Sequence, residues 1–243
     1  MEILFLGTGG GRLNLVKQLR WTGGFRINGS ATIHVDPGPG ALVRAWQVGV
    51  DPRKTDALIV THAHTDHWTD TIPMIEAITE GTMKKRGLVI CSNSVYNNIS
   101  DFHKGLLRVE KAEAGEKKDY TIDGKSFKAE FTPVNHESDG FGFVLEMDGK
   151  KIGYTSDTEY FEELDGYFKG VDVLIANVFK PKPDGYIGHL TAESAAKLAE
   201  GAKPKLMVLT HMGTKMLGNE WEEIQKESGV RTICATDMLR LEV

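Results

Sequence analysis

Three imidazoles and a carboxylate fall within six residues at Thr61-His62-Ala63-His64-Thr65-Asp66-His67. Neutral imidazole and carboxylate bind zinc, iron and manganese, whereas calcium and magnesium favour all-oxygen cages. A polar turn with chance histidines is the alternative, and it leaves the crowding of four ligand-type side chains unexplained. The apolar run Ala57-Leu58-Ile59-Val60 comes directly before them. It predicts a strand that leaves a buried sheet and hands these side chains to a loop at its end.

Further ligand types stand at the ends of other predicted strands. His136 follows Phe131–Val134, Asp157 follows a strand ending Tyr154-Thr155-Ser156, and His211 ends Met207–Leu209. With the first group they make five histidines and two aspartates, enough for two metal ions. Asp157, isolated at a strand end, suits the bridging place because its two oxygens can divide between two ions. Leu58-Ile59-Val60-Thr61-His62 and Met207-Val208-Leu209-Thr210-His211 share one form, an apolar strand ending in Thr-His. Pseudo-symmetric halves would bring a histidine from each of two sheets to one edge; chance similarity of two buried strands is the alternative.

The elements that must position these residues follow from periodicity and turn residues. Glu2–Leu6 reads as a strand broken by Gly7-Thr8-Gly9-Gly10-Gly11, a glycine turn expected to line a pocket. A phosphate cradle there would need a helix at once, and Arg12–Arg20 has only weak helical periodicity. Phe25–Asn28 and Thr32–Val35 form a hairpin around Gly29-Ser30, with His34 in the strand expected to be a packed or surface residue rather than a ligand. Asp36-Pro37-Gly38 ends it and leads to a helix over Ala41–Val48; Asp36 is expected to tie loops together rather than bind metal. Further helices are predicted over Thr69–Thr79, Val95–Leu107, Tyr160–Phe168, Thr191–Gly201 and Trp221–Ser228. Strands are predicted over Leu88–Cys91, Arg108–Lys111, Asp119–Ile122, Lys125–Pro133, Gly142–Met147, Lys150–Thr155, Val171–Ala176, Lys205–Leu209 and, last, Arg231–Ala235. Lys84-Lys85-Arg86 reads as a solvated turn and His103 as an exposed or satisfied histidine. Early strands meander and later ones alternate with helices. This predicts an α/β (α+β) architecture of two sheets with helices outside, in one domain over residues 1–243.

A chain of 243 residues with 40% hydrophobic and 26% charged side chains can bury a full core. Its net charge of −5 gives no general attraction to nucleic acid or an anionic membrane. No apolar run reaches the length of a membrane span, and the N-terminus lacks a basic leader, so a cytoplasmic protein is expected. Cys91 and Cys234 each end an apolar run and read as buried free thiols, remote from the histidines and excluded as ligands.

On these residues the sequence resembles the metallo-β-lactamase superfamily. The His-x-His-x-Asp-His hallmark corresponds to His62, His64, Asp66 and His67, and the resemblance extends through Asp36-Pro37-Gly38, His136, Ser156-Asp157-Thr158 and Leu209-Thr210-His211. It implies a four-layer αββα sandwich with the site at one edge. It also implies that His62, His64 and His136 hold one ion and Asp66, His67 and His211 the other, with Asp157 bridging. Two divalent cations are expected: zinc first, with manganese or iron(II) also suited to this ligand set.

Leu4-Phe5-Leu6-Gly7-Thr8-Gly9-Gly10 and Gly188-His189-Leu190-Thr191 are similar to segments of the ribonuclease Z-like phosphodiesterases. That resemblance implies that His189, on a loop before a helix, approaches the site and protonates or hydrogen-bonds a phosphate oxygen; a simple loop histidine is the alternative. Only twenty residues separate His136 from Asp157, leaving no room there for a long RNA-clamping arm. Asn177 and Met212-Gly213 also depart from the pattern of those enzymes. The expected activity is cleavage of a phosphodiester or nucleotide-type phosphate ester by a hydroxide held between two metals, with Asp66 orienting it and His189 assisting departure. Arg12, Lys180 or Lys182 would contact an outer phosphate. The expected substrate is a small molecule or nucleotide rather than long nucleic acid, with no membrane partner and a homodimer left open. A thioesterase or lactonase using the same hydroxide on a carbonyl is the second expectation, and a di-iron redox protein the third.

Overall fold

The computed structural model describes every residue except Tyr186. The first sheet is built from β1 (Glu2–Gly7), β2 (Thr22–Asn28), β3 (Thr32–Val35), β4 (Ala57–Val60), β5 (Leu88–Cys91) and β6 (Arg108–Lys111). The chain then crosses to a second sheet containing β7 (Lys117–Ile122), β8 (Lys125–Thr132), β9 (Gly142–Met147), β10 (Lys150–Tyr154), β11 (Val173–Lys180), β12 (Leu190–Thr191), β13 (Leu206–Thr210) and β14 (Thr232–Cys234). A final strand, β15 (Arg240–Glu242), returns to the first sheet and pairs antiparallel with β1. The sheet orders are β15-β1-β2-β3-β4-β5-β6 and β14-β13-β11-β10-β9-β8-β7, with β12 beside β11.

Helices cover both outer faces. They are α1 (Gly11–Lys17), α2 (Ala41–Gln47), α3 (Thr65–Trp68), α4 (Thr71–Ile78), α5 (Asn93–Asn98), α6 (Asp101–Lys104), α7 (Leu164–Tyr167), α8 (Ala192–Ala202) and α9 (Glu220–Ser228). Side chains alternate faces along a strand, and the strands near the centre are apolar on both. In β1, Ile3 and Phe5 point between the sheets, while Leu4 and Leu6 pack outward with Ala45 of α2. In β4, Ile59 faces inward, while Leu58 and Val60 meet Met74, Ile75 and Ile78 of α4. Phe127, Phe131 and Phe143 fill the space between the sheets from the other side. Truncating either Phe131 or Phe143 to alanine there would cost about 3–5 kcal/mol. The result is the expected αββα sandwich. Among the described residues no helix is long and apolar enough to cross a membrane.

Several predicted elements differ in extent. A helix does follow the glycine run at once, as α1, because Gly11 at φ 78° turns the chain into it. The expected helix over Val95–Leu107 splits into α5 and α6, since Ile99 is extended and Ser100 starts a new helix by accepting the His103 N–H. Of Tyr160–Phe168 only Leu164–Tyr167 is helical. Strand β11 runs four residues further than predicted, to Lys180, and carries Asn177 and Phe179 toward the sheet edge. Arg231–Ala235 is not the last strand; β15 is too short and polar to show a pattern.

Candidate metal centre

Strands β3 and β4 run parallel, as do β10, β11 and β13, so their C-terminal ends lie along one edge of the sandwich. Asp36, His62, Asp157 and His211 each stand just beyond such an end. Three of the residues there hold left-handed backbone conformations: Asp36 at φ 46°, Ser156 at φ 55° and His211 at φ 56°. For residues other than glycine this costs about 1–3 kcal/mol each, which persists only where surrounding contacts dictate it. His62 and His64 lie on the loop after β4, as expected, whereas Asp66 and His67 belong to the single turn of α3.

All seven expected ligands come together, in two clusters. His62, His64, His136 and Asp157 form the first, and Asp66, His67 and His211 the second. In and beside the second cluster, His67 Nε2 stands 3.0 Å from His211 Nε2, 3.2 Å from Asp157 Oδ2 and 3.8 Å from Asp66 Oδ2. His211 Nε2 is 3.2 Å from Asp66 Oδ2 and 3.4 Å from Asp157 Oδ2. A tetrahedral zinc with ligands about 2.0–2.1 Å away spaces its ligand atoms roughly 3.3 Å apart. In the first cluster His136 Nε2 and His64 Nδ1 are 3.2 Å apart, and His62 Nε2 is 3.6 Å from Asp157 Oδ2.

Proton accounting shows what these atoms offer. His136 Nδ1 donates to the Gly188 carbonyl at 2.8 Å, which leaves its Nε2 lone pair facing the cluster. Thr61 gives its hydroxyl proton to Asp36 Oδ2, so its oxygen accepts from His62 Nδ1 at 3.1 Å and from Ser156. His62 Nε2 is therefore a lone pair too, and it is buried with no hydrogen-bond partner among the described residues. His67 Nδ1 donates to Asp36 at 2.9 Å, and His64 turns its Nε2 toward Glu137 at 3.6 Å. Lone pairs and carboxylate oxygens converging in a buried space fit a cation. Burial alone would depress His67, but Asp157 and Asp66 outweigh it and hold His67 well above the ordinary imidazole range. Burial would likewise raise Asp157, yet His211, His67 and His189 hold it well below the usual carboxylate range.

Asp36 has the bracing role expected of it. It accepts from Thr61 N at 2.7 Å, Thr61 Oγ1 at 2.9 Å, His67 Nδ1 at 2.9 Å and the Tyr154 hydroxyl at 2.9 Å. The two oxygens of Asp157 face different partners. Oδ1 accepts from Asn177 Nδ2 at 2.7 Å, and Oδ2 alone approaches histidines of both clusters. Sequence reasoning missed Tyr154, and it noticed Asn177 only as a departure; neither belongs to a spacing pattern that could have marked it.

His189 is buried at the site rather than on an open loop. Its Nδ1 is 3.7 Å from Asp157 Oδ2, and its ring stacks on Phe179 and His211 at centroid distances of 4.7 and 5.5 Å. Burial pushes its pKa down to about 4, against the opposing pull of Asp157. Asp157, His189 and His211 also make a third group compact enough to hold an ion. A cavity of about 510 Å³ adjoins the centre, lined by Gly10, Arg12, Glu137, Phe179, Lys180 and Lys215 among others. Arg12 and Lys180 line this cavity, with Lys180 buried and paired to Asp184. Lys182 lines a separate depression with Glu193 and Glu223.

The model of the beta-lactamase superfamily domain matches residues 31–212, a span reaching from the β2–β3 hairpin past His211. The chain belongs to that superfamily. It is similar to the uncharacterized protein MJ1374 of Methanocaldococcus jannaschii, at 39% identity covering 100% of this chain and 95% of that protein. It is also similar to ribonuclease Z of Thermococcus onnurineus, at 22% identity over 91% of this chain and 88% of the relative. The fold is shared with the metallo-beta-lactamase fold protein YhfI of Bacillus subtilis, with a TM-score of 0.83 and 20% identity, covering 100% of this chain and 99% of that one. As a member of this superfamily the protein is a metal-dependent hydrolase with ribonuclease Z-like relatives, and its His/Asp cluster is able to bind metal.

Proposed function

We propose that the protein is a two-metal hydrolase of small phosphodiesters or nucleotide-type phosphate esters. His62, His64 and His136 would hold one divalent cation, Asp66, His67 and His211 the other, and Asp157 both. Two such cations, zinc being the best match to this donor set, would supply when bound a nucleophilic hydroxide at neutral pH and would neutralise charge on the attacked ester. The chain's own residues do the rest. Asp66 Oδ2 is fixed by the Gly11 N–H at 2.6 Å and orients the attacking water. The cavity beside the centre has the volume of a small-molecule site, and Arg12 at its wall meets a substrate anion.

The observation that carries the choice of phosphate over carbonyl is the position of His189. An imidazole packed against Phe179 and His211 and beside Asp157 is placed to donate a hydrogen bond to a phosphoryl oxygen. A residue kept neutral by burial binds that oxygen as a hydrogen-bond donor rather than as a cation. The third ion-sized group gives a second role for His189, as a ligand in place of a substrate contact.

The deciding experiment is turnover of bis(p-nitrophenyl) phosphate against an acyl thioester by the zinc-loaded protein. Phosphodiester cleavage with a silent thioester supports this reading. The reverse result sinks it in favour of a thioesterase.

A further inference from the structure

Asn177 lies on β11, 1% exposed, between the two clusters. Its Nδ2 donates to Asp157 Oδ1 at 2.7 Å and to the Tyr154 hydroxyl oxygen at 3.0 Å. Tyr154 in turn donates to Asp36 Oδ2 at 2.9 Å, and Asp36 accepts the Nδ1 proton of His67 at 2.9 Å. The direction of this chain is determined. Asp36 and Asp157 are acceptors only, so the amide of Asn177 must present its nitrogen to Asp157 and the Tyr154 proton must point to Asp36. The Asn177 Oδ1 is left buried without a hydrogen-bond partner among the described residues, a cost the fold retains. Tyr154 is itself buried, and its ring is fixed by Phe25 and Phe143 at centroid distances of 5.0 and 5.5 Å.

The consequence for Asp157 is geometric. To turn one oxygen to each cluster the carboxylate would have to disturb the bond that Asn177 makes to Oδ1. Its Oδ2 is shared, at 3.6 Å from His62 Nε2 and at 3.2 and 3.4 Å from His67 and His211 Nε2. The same chain ends on His67, where it fixes which ring nitrogen faces the second cluster. One buried string of hydrogen bonds therefore orients the shared ligand and a ligand private to one cluster.

We propose that Asn177 is a positioning residue which, through Tyr154 and Asp36, couples the two clusters, so that filling one favours filling the other. The inference rests on the two-metal reading of the centre and on no assumption about substrate. It is tested by titrating Zn2+ into the metal-free protein by calorimetry, with the melting temperature of each metal-free variant as the folding control. The wild type is expected to take up two ions. In Asn177→Ala the first ion should bind within about threefold of wild type and the second about 10–100-fold more weakly. Tyr154→Phe keeps the aromatic packing and loses only the hydroxyl, so it should weaken the second ion by a smaller factor.

A purely structural role would lower both affinities together with the melting temperature, and that result overturns the proposal. So do two ions bound with wild-type affinities by both variants, a result that leaves the two-metal reading standing. A wild type that accepts a single ion overturns the two-metal reading and the coupling with it. If Asn177→Ala does not fold, Tyr154→Phe decides alone: an unchanged second affinity overturns the coupling.

Discussion

Gly10 lies flat against the ring of His211, so close that a Cβ on it would stand 2.2 Å from Nδ1 and 2.3 Å from Cγ. The glycine run is also stitched to the loop after β13: Gly10 N donates to the Met212 carbonyl and Met212 N to that of Thr8. Neither side can shift without breaking these bonds. Gly10→Ala is therefore expected to displace His211 and weaken ion binding by roughly 10–100-fold, the range for loss of a ligand's supporting contacts. Zinc titration of the metal-free variant measures this. An affinity equal to wild type would show that α1 gives way instead.

Asp36 gathers four hydrogen bonds at a buried strand end, from Thr61 N, Thr61 Oγ1, His67 Nδ1 and the Tyr154 hydroxyl. Removing one member of a buried charged set leaves the remaining donors unpaired, at about 3–5 kcal/mol. Asp36→Ala should lower the unfolding free energy of the metal-free protein by that order in urea. It should also free His67 to change tautomer and so weaken the second cluster. A variant that loses stability yet binds zinc as wild type does would separate bracing of the fold from orientation of His67.

The residues that gather at the candidate centre were legible in the sequence because the fold delivers most of them by its most regular device, the C-terminal ends of apolar strands. The Thr-His endings of β4 and β13 are the clearest case, one in each sheet. Most strands were legible for the same reason, since β4, β5 and β9 are bounded by turn residues and buried by pattern. What stayed hidden depends on contacts between residues far apart in the chain. Tyr154 is an ordinary strand aromatic until Asp36, 118 positions away, is set against its hydroxyl. The one-oxygen presentation of Asp157 could not be read either, because it depends on the rotamer of Asn177. Short helices such as α6 and α7 were misjudged because capping and local turns, rather than a long apolar face, define them.

His34 gives a pH prediction independent of the metal ligands. It is fully buried, its Nε2 donates to the Gly23 carbonyl at 2.8 Å, and its Nδ1 has no partner among the described residues. Burial, with Arg26 nearby, pushes its pKa down to about 3 from the ordinary 6.5. Between these values the unfolded chain holds a proton that the folded chain refuses. The stability contribution is thus full above pH 6.5 and is lost as pH falls toward 3, by up to about 4–5 kcal/mol. In His34→Gln the side chain still carries a donor but does not titrate. Urea unfolding of metal-free wild type and variant from pH 7 to 4 should show a shallower decline for the variant. Parallel declines would mean that His34 accepts its proton without unfolding.

His189 is the residue on which the choice of scissile bond depends. Its ring is held by Phe179 and His211 and lies against His136 at 5.1 Å, so truncation to alanine removes a hydrogen-bonding group without deleting an expected ligand. If its part is to bind a phosphoryl oxygen as charge develops, His189→Ala should retain two ions per chain and lose about 10²–10⁴-fold in kcat for bis(p-nitrophenyl) phosphate. The loss should lie in kcat more than in KM, because the contact strengthens in the transition state. If His189 is instead a ligand with Asp157 and His211, elemental analysis will find fewer than two ions and added zinc will restore part of the activity. Unchanged turnover at full metal content would exclude both roles, and discrimination between phosphate and carbonyl would then have to come from the cavity wall at Arg12 and Lys215.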